Sequence, residues 1–587
     1  MVGTPDEAYS HGRGWRMAVV LNDTVINAPT LDSPLRDSAM ISGSFSQNEV
    51  QRLSSDLKAG SLSFTPHILS EKNVSPELGK TDRTKGIVAT FVALILVIAC
   101  MLSYYRFAGV VASVAVLFNL LIMWAVLQNL GATLTLAGIA GIILTVGMSI
   151  DANVLVFERI KEEFAITNRI ASAIDAGYKK AFSAIVDSNI TTIIAALILL
   201  NFDAGPIKSF AMNLIIGIVS SMFTALFLTR FYFTGWAQNP KNKVLKMAHW
   251  IKSTRFDFLK YTKPAFATAL MIIVAGMYLV FFRSSTILGL DFTGGYSLNL
   301  ELPEKGEKNY IESVESALLA KGAESRDFQI RAMNPSNHLR ILFAENMEQK
   351  GKPFFGMPLE IESEEAAYAY QKNPRISWMV DALKDANIEL SQNTLSHLHS
   401  DWTAISGQMS DTMRNSAIFG FLLSFVGIFV YLAFRFEYKF AAAALLCLVH
   451  DVLITLALMG LCHVFGVPVQ IDLITIAALM TAVGYSLNDT IIIFDRIREE
   501  MRLNERRSLK ETVNYALNFT LSRTTITSGS TFLVLVALLL LGGSSIFGFA
   551  LVMTIGVIFG TLSSWFIAAP LMLYFHRREE LVAQTSK

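Results

Sequence analysis

The chain has 587 residues, of which 52% are hydrophobic and only 17% charged, and its mean hydropathy is +0.45. Soluble domains carry roughly 25% charged residues, so this balance excludes an ordinary soluble protein and points to a polytopic α-helical membrane protein. The net charge of +1 gives no basic excess for nucleic acid, and the three cysteines (Cys100, Cys447, Cys462) all lie in apolar runs, which argues against a disulfide framework or a cysteine-based metal site.

In chain order, residues 1–84 are hydrophilic and read as a small α/β piece. Arg16–Leu21 and Thr24–Ala28 are predicted strands around an Asn22-Asp23 turn. Ser46-Gln-Asn-Glu49 is a capping box opening a helix that Gly60 ends, and Ser61–Leu69 is a further strand. Five apolar spans follow within residues 85–235; Ile87–Tyr105 and Phe107–Asn129 each approach the ~20 residues that cross a bilayer. Residues 236–263 form a linker, residues 264–282 a sixth span, and residues 283–412 a second hydrophilic domain. Its predicted order is strand Tyr296–Leu302, helix Asn309–Lys321, strands Phe328–Met333 and His338–Ala344, then a helix over Glu364–Asn387. That order suggests a βαββαβ sandwich of ferredoxin-like type. Five more spans occupy residues 413–576, and residues 577–587 form a tail. Neither hydrophilic domain carries a glycine-rich phosphate loop or a nucleophile–base pair, so the expectation is no enzyme, no cofactor and no metal.

Lysine and arginine set the orientation. The connection Glu158–Lys180 carries five, Trp236–Lys263 seven and Asp495–Lys510 six, while Gln128–Ala132 and His463–Asp472 carry none. The basic connections are expected in the cytoplasm and both hydrophilic domains on the opposite side. Residues 1–84 would then need an earlier span or signal peptide, so the chain is expected to be a fragment of a longer protein.

The membrane part occurs twice. Val146–Glu163 aligns with Val483–Glu500 without a gap, Asp187–Thr192 with Arg523–Ser528, and Ile207, Phe210, Ala211 and Gly217 with Ile546, Phe549, Ala550 and Gly556, at offsets of 337, 336 and 339. Six spans separate the copies, an even number, so both have the same orientation: a parallel pseudo-two-fold repeat, the build in which transporters place ion sites at the repeat interface.

Four ionisable residues fall inside this repeat. Asp151 lies seven residues before Glu158, or ~10 Å deep at ~1.5 Å per residue. Asp489 is similarly placed before Asp495, Asp187 lies seven residues past Lys180, and Arg523 occupies the position equivalent to Asp187. Each such charge costs ~2.5–3.5 kcal/mol to insert, so function is the usual reason it is kept. Asp151 and Asp489 are one residue out of step, which predicts both carboxylates at a common seam with Arg523 as counter-charge. One arginine cannot neutralise three carboxylates, so at least one carboxylate is expected to accept a proton. The competing reading is a static ion pair that fixes helix register; for Asp187 it is a structural role or a water-lined exit. Asp451 and Asp472 read as span-end residues solvated at the interface, and His450 beside Asp451 does not make a metal site. Gly556–Gly560 reads as a helix-packing seam, and Arg159 and Arg496 as anchors of helix ends at the membrane surface.

These motifs carry a resemblance. Gly147–Glu163 is similar to the SecD signature. Val483–Glu500 with Leu521-Ser-Arg-Thr-Thr-Ile-Thr-Ser528 is similar to its SecF counterpart. Ile41-Ser-Gly-Ser-Phe45 and the Ala28-Pro29 strand resemble the end of SecD's outer domain, and Leu290-Asp-Phe-Thr-Gly-Gly295 the start of SecF's. The chain thus resembles the SecD–SecF protein-export family, of the RND-like superfamily, with SecD up to about residue 245 and SecF after it. Thr403-Ala-Ile-Ser-Gly-Gln-Met409 stands where SecF usually has Val-Gly-Pro. The resemblance implies a multi-pass protein of the bacterial inner membrane that assists the Sec translocon channel (SecYEG), uses proton or sodium flow to pull unfolded preproteins across, and carries Asp151, Asp489 and Arg523 in its ion pathway. The rivals are an RND-type small-molecule or lipid exporter, for which the second hydrophilic domain is small, and a non-transporting scaffold.

Overall fold

The computed structural model describes residues 18–21, 24–27, 41, 44–60, 70–72, 76–202, 205–239, 244–245, 247–248, 256–282, 287–302, 310–324, 327–332, 338–358, 368–388, 390–467, 469–504 and 506–585. Two compact units are distinguished, Met1–Ile68 and Leu69–Lys587. In the first, β1 (Val19–Leu21) pairs antiparallel with β2 (Thr24–Asn27). Helix α1 (Gln47–Gly60) opens on the predicted capping box, with Ser46 N donating to Glu49 Oε2 at 2.7 Å and Glu49 N to Ser46 Oγ at 3.4 Å. The predicted Asn22-Asp23 turn and the strand Ser61–Leu69 lie outside the described residues.

In the second unit, eleven helices among the described residues are long and apolar enough to cross a membrane: Asp82–Tyr105, Phe107–Asn129, Leu136–Thr167, Ile170–Leu199, Gly205–Ala237, Phe258–Phe282, Met409–Arg435, Tyr438–Val464, Leu473–Leu503, Leu509–Leu541 and Ser545–Arg577. We number them as spans one to eleven. The apolar cores of spans three and nine are 89% buried inside the protein, whereas that of span six is 11% buried. The two copies of the longest repeated motif therefore form the middle of the bundle. The basic connection between spans three and four is short: span three ends at Thr167 and span four begins at Ile170, with Asn168 in the left-handed region at φ 51°. Spans five and eleven each contain one π-helical turn, Thr224–Leu228 and Ser564–Ala568, so the repeat extends to a helix irregularity of a kind that often accompanies functional sites.

The domain between spans six and seven is built on β4 (Gly295–Glu301), β5 (Phe328–Ala332), β6 (His338–Phe343) and β7 (Trp402–Ile405), with helices α2 (Tyr310–Ala320) and α3 (Pro374–Asp385). The spatial order β7-β4-β6-β5, antiparallel throughout, is the predicted ferredoxin-like arrangement. Alternate residues of β4, namely Tyr296, Leu298 and Leu300, point to one face and pack with Val314 and Leu318 of α2 and Met379, Val380 and Leu383 of α3. Helix α3 starts later than the predicted Glu364 because Ala369–Lys372 is a 3-10 turn, and because Pro374 suits a first helical position whose N–H would be unpaired anyway. Asn373 Oδ1 caps it, accepting from Arg375 N at 3.0 Å.

The sheet holds one surprise for the sequence reading. A short strand ahead of span one, β3 (Ser70–Lys72), pairs antiparallel with β7 as a fifth strand, Ser70 opposite Ile405. The short segment Ser70–Lys72, ahead of the first half's spans, thus completes the second half's sheet. Without β3, strand β7 would present a free edge of unpaired backbone groups. Strand β7 runs straight into span seven, where Ser406 Oγ caps the helix by accepting from Met409 N at 3.3 Å.

Asp327 pins the other end of this domain. It is 0% exposed, and its carboxylate accepts from Lys352 Nζ at 2.7 Å, Asn346 Nδ2 at 2.8 Å and Glu324 N at 2.9 Å. Burial alone would raise its pKa, but Lys352, the Glu324 amide and Asn346 together hold it below the ordinary carboxylate value. A carboxyl depressed in the folded state contributes stability above its unfolded pKa and loses it as pH falls through the folded one. Asp327→Ala should destabilise the domain by roughly 1–3 kcal/mol through orphaned donors. Hydrogen exchange of β5 and β6 in the full chain should show faster opening at neutral pH, with the difference from wild type shrinking as pH drops below the usual carboxylate range.

Candidate functional site

The site grows from the way the two repeats cross. Span nine packs on span four of the other half, and span three on span ten. The approach is closest at Gly484, where an added Cβ would lie 3.0 Å from Thr192 Cα. Its repeat partner Gly147 faces Thr531 of span ten in the same manner, less tightly, at 3.4 Å. Small residues here bring the polar positions that follow, Asp151 and Asn488-Asp489, against the opposite half.

At that level the repeat axis runs through a hydrogen bond. Asn488 Nδ2 donates to Asp151 Oδ2 at 2.8 Å, and these are the two positions that the gapless alignment matches. The copies differ locally. Span three is interrupted at Ser149-Ile150, so Asp151 begins the helix Asp151–Thr167, where the unpaired amides of a first turn favour a carboxylate. Span nine is one helix through Asp489. Asp489 is buried, and its Oδ2 accepts from Ser528 Oγ of span ten at 2.9 Å and Thr561 Oγ1 of span eleven at 3.3 Å, while Thr561 and Ser528 bond each other at 2.7 Å. The predicted common seam is present: Asp151, Asp489 and Arg523 lie within electrostatic reach of one another.

The predicted ion pairing is not. Among the described residues no salt bridge joins Arg523 to Asp151 or Asp489, and Asp151 Oδ1 and Arg523 Nε are buried without a protein hydrogen-bond partner. Arg523 instead lines a polar cleft on the basic-loop side with Glu158, Arg159, Glu162, Lys180, Asp495 and Arg496. Alignment fixes which helix carries the arginine, not which way its long side chain reaches. Asp187 is also placed apart from the seam. Its carboxylate accepts from Tyr431 Oη at 2.8 Å and Arg435 Nε at 2.5 Å, both on span seven, which makes it an inter-half tether.

One further correction concerns a residue read as a span end, Asp451, and a further finding concerns Arg159 and Arg496, matched at the 337-residue offset, which pair with carboxylates across the repeat. Arg159 bonds Glu162 at 2.8 Å and Glu499 at 2.7 Å, and Arg496 approaches Glu499 at 3.0 Å and Glu162 at 3.9 Å. The four side chains form a ring across the repeat axis at the mouth of the cleft, and Arg496 also stacks on Phe519, 3.7 Å from its centroid. Asp451 is not at an interface but buried at the midpoint of span eight. Asp472 does sit at a span end, capping span nine by accepting from Thr475 N at 2.7 Å. Gly556 and Gly560 pack against Ala482 and Ser486 of span nine, as the small-residue pattern predicts. Among the described residues no group of three or more His, Cys, Asp or Glu is placed to hold a metal.

Comparison with known proteins agrees with this architecture. Residues 57–238 and 386–578 match the family described as protein export membrane protein SecD/SecF, C-terminal, and residues 6–64 match the SecDF P1 head subdomain. Protein translocase subunit SecDF of Brucella abortus is 32% identical over 95% of this chain and 69% of its own length. The subunit of Bacillus subtilis is 30% identical over 94% of this chain and 72% of its own. The crystal structure of SecDF from Thermus thermophilus, described as a translocon-associated membrane protein, covers 98% of this chain and 74% of its own with a TM-score of 0.80 at 29% identity.

The close approach at Gly484 can be tested directly. Gly484→Ala should cost about 1–3 kcal/mol by overpacking, read as a lowered unfolding temperature in detergent. Gly529→Ala on span ten, where nothing lies within 4 Å of the added Cβ, should leave stability unchanged.

Proposed function

Because the chain belongs to the SecD/SecF family of protein export membrane proteins, we propose that it is a translocase accessory subunit that couples an inward flow of protons or sodium ions to a late stage of preprotein export. Its partners on this reading are the Sec translocon channel and unfolded preproteins in transit, its setting is the bacterial inner membrane, and its energy source is the ion gradient and not ATP. The observation that carries the reading is Asp489: a carboxylate in one of the two most buried spans, held by two hydroxyls among the described residues, beside an axis at which the two halves touch through Asp151 and Asn488.

Such a carboxylate is unstable in its charged form away from water unless a counter-ion arrives. Loading Asp489 with a proton or a sodium ion removes that cost and changes what Ser528 and Thr561 must donate to. The two hydroxyls belong to spans ten and eleven, so the packing of these spans on span nine responds to the ion. Span ten also carries Arg523, which faces the cleft through which an ion would leave. A movement of one half against the other would have a ready linkage to the outer side in the five-stranded sheet. Strand β3 leads into the first half, β7 continues into span seven of the second, and the strands are hydrogen-bonded. Rocking of one half against the other strains or carries that sheet. The drive available is ~2.3 kcal/mol per charge per 100 mV.

The test is export of a secreted reporter into inverted membrane vesicles, with proton and sodium gradients imposed separately. Wild type should be stimulated by one gradient, and Asp489→Asn should lose about tenfold or more of that gain, ~1.4 kcal/mol of coupling or more, while membrane assembly persists. Equal stimulation in the variant would make Asp489 structural.

A further inference from the structure

Span eight contains a carboxylate that the ion path just described does not use. Asp451 lies midway between the ends of Tyr438–Val464, about 20 Å from either at 1.5 Å per residue, and is buried. Span two, its counterpart in the first half, has no acidic residue between Phe107 and Asn129. An unmatched acid in the middle of a span is costly, and span two shows that polar packing there needs no ionisable group, since it places the neutral, buried Asn119 near its own midpoint, accepting from Ser220 of span five.

Its surroundings are those of a proton site and not of a stored ion pair. Asp451 Oδ1 meets His450 Nδ1 at 2.9 Å, and Oδ2 accepts from Ser486 Oγ of span nine, with Cys447 Sγ at 4.0 Å. Ser563 of span eleven lies nearby, its hydroxyl donating to Gly560 O at 3.0 Å. Its contacts are a hydroxyl, a thiol and an imidazole, and none is a lysine or arginine that would lock the carboxylate in its ionised form. Charged and titratable groups on the neighbouring elements stand elsewhere. Span eleven up to and through its π turn has none, span six offers Lys260, Tyr261 and Lys263 at its basic end and Tyr278 farther along, and on span seven Tyr431 and Arg435 are engaged with Asp187 and Arg414 with Asp411. Lys439 and His576 meet at the basic end, ~18 Å along the helix from Asp451. On span nine the titratable neighbours are Tyr485 and Asp489. His450 is thus the one basic group at Asp451 among the described residues, and its Nε2 is buried with no protein partner among them.

The pair is also joined to the ion path through two helices. Ser486, which donates to Asp451, lies one turn before Asp489 on span nine. Thr561, which donates to Asp489, lies two residues before Ser563 on span eleven, and Gly560 between spans allows close contact with Ser486. A change at either carboxylate reorients hydroxyls on the same two helices.

We propose that His450 and Asp451 form a second proton-binding site in the membrane core, one that takes up and releases a single proton as the hydroxyl-linked packing of spans nine and eleven changes. Uptake adds a proton to the Asp451 carboxylate, giving a carboxylic acid that donates to His450 or to the Ser486 hydroxyl; release returns it by the same oxygen, with no other bond made or broken. The inference rests on the ion-coupling reading only for the use made of the proton, and the experiment separates the two.

That experiment is an infrared pH titration of the full chain in liposomes, following the carbonyl stretch of protonated carboxyl groups. Asp451→Asn should remove one titrating carboxyl per chain that Asp489→Asn leaves in place, and His450→Gln should keep that band while moving its midpoint. Should Asp451→Asn fail to assemble, Asp451→Glu should assemble and shift the frequency of the same band. A spectrum of Asp451→Asn identical to wild type at every pH, or an unshifted spectrum of Asp451→Glu, overturns the proposal. Loss of the band in Asp451→Asn alongside a wild-type protein whose export no gradient stimulates would uphold the proton site while removing the ion-coupled function.

Discussion

The arrangement depends on burying carboxylates between two halves of a membrane bundle without giving them cations. Asp151 and Asp489 sit where spans three and nine cross the repeat axis, held by Asn488, Ser528 and Thr561. Amide and hydroxyl donors stabilise a charge partially and a neutral acid adequately, so neither state is locked. An arginine at bonding distance would have fixed one state. The nearby guanidinium of Arg523 is turned into the basic-side cleft, close enough to bias the carboxylates and not bonded to them.

Around this soft centre the contacts are firm. Asp187 ties span four to span seven through Tyr431 and Arg435, and Arg159, Glu162, Arg496 and Glu499 ring the axis at the cleft mouth. At the far end, β3 closes the sheet that the second half builds. The halves are thus connected at both ends and loosely satisfied in the middle, which suits a device in which a small change of charge alters how rigid bodies meet. The ring is also uneven, 2.7 Å for Arg159 to Glu499 against 3.9 Å for Arg496 to Glu162. Pseudo-symmetric sequence here produces an asymmetric pair of contacts.

Much of this was legible in the sequence because its signals are local or repeated. Apolar run length delimits the spans, and the gapless match of Val146–Glu163 with Val483–Glu500 brings Asp151 and Asp489 to a common seam, although the contact of Asp151 with its matched residue Asn488 is not foreseen by it. The βαββαβ order followed from alternation and turn residues. What escaped was non-local or a matter of side-chain direction. Nothing in Ser70–Lys72 signals a partner more than three hundred residues away. The alignment sets Arg523 near Asp151 and Asp489 but does not tell that no direct ion pair forms among the described residues. The position of Asp451 at the middle of its span follows from the apolar lengths on either side of it, from Tyr438 and to Val464, and not from the span-end reading. For Asp187 the partners Tyr431 and Arg435 come from a span that the repeat alignment did not connect to it.

The central claim is that the two halves move against one another when an ion gradient acts on the seam. Ile166 and Leu503 are exposed and occupy matched positions at the basic-side ends of spans three and nine. Spin labels at these two sites, measured by electron–electron double resonance in liposomes, report the separation of the halves directly. The account predicts a distance distribution that shifts or gains a second population when the gradient is imposed, and a single unchanging distance in Asp489→Asn. A wild-type distribution identical with and without the gradient would contradict it.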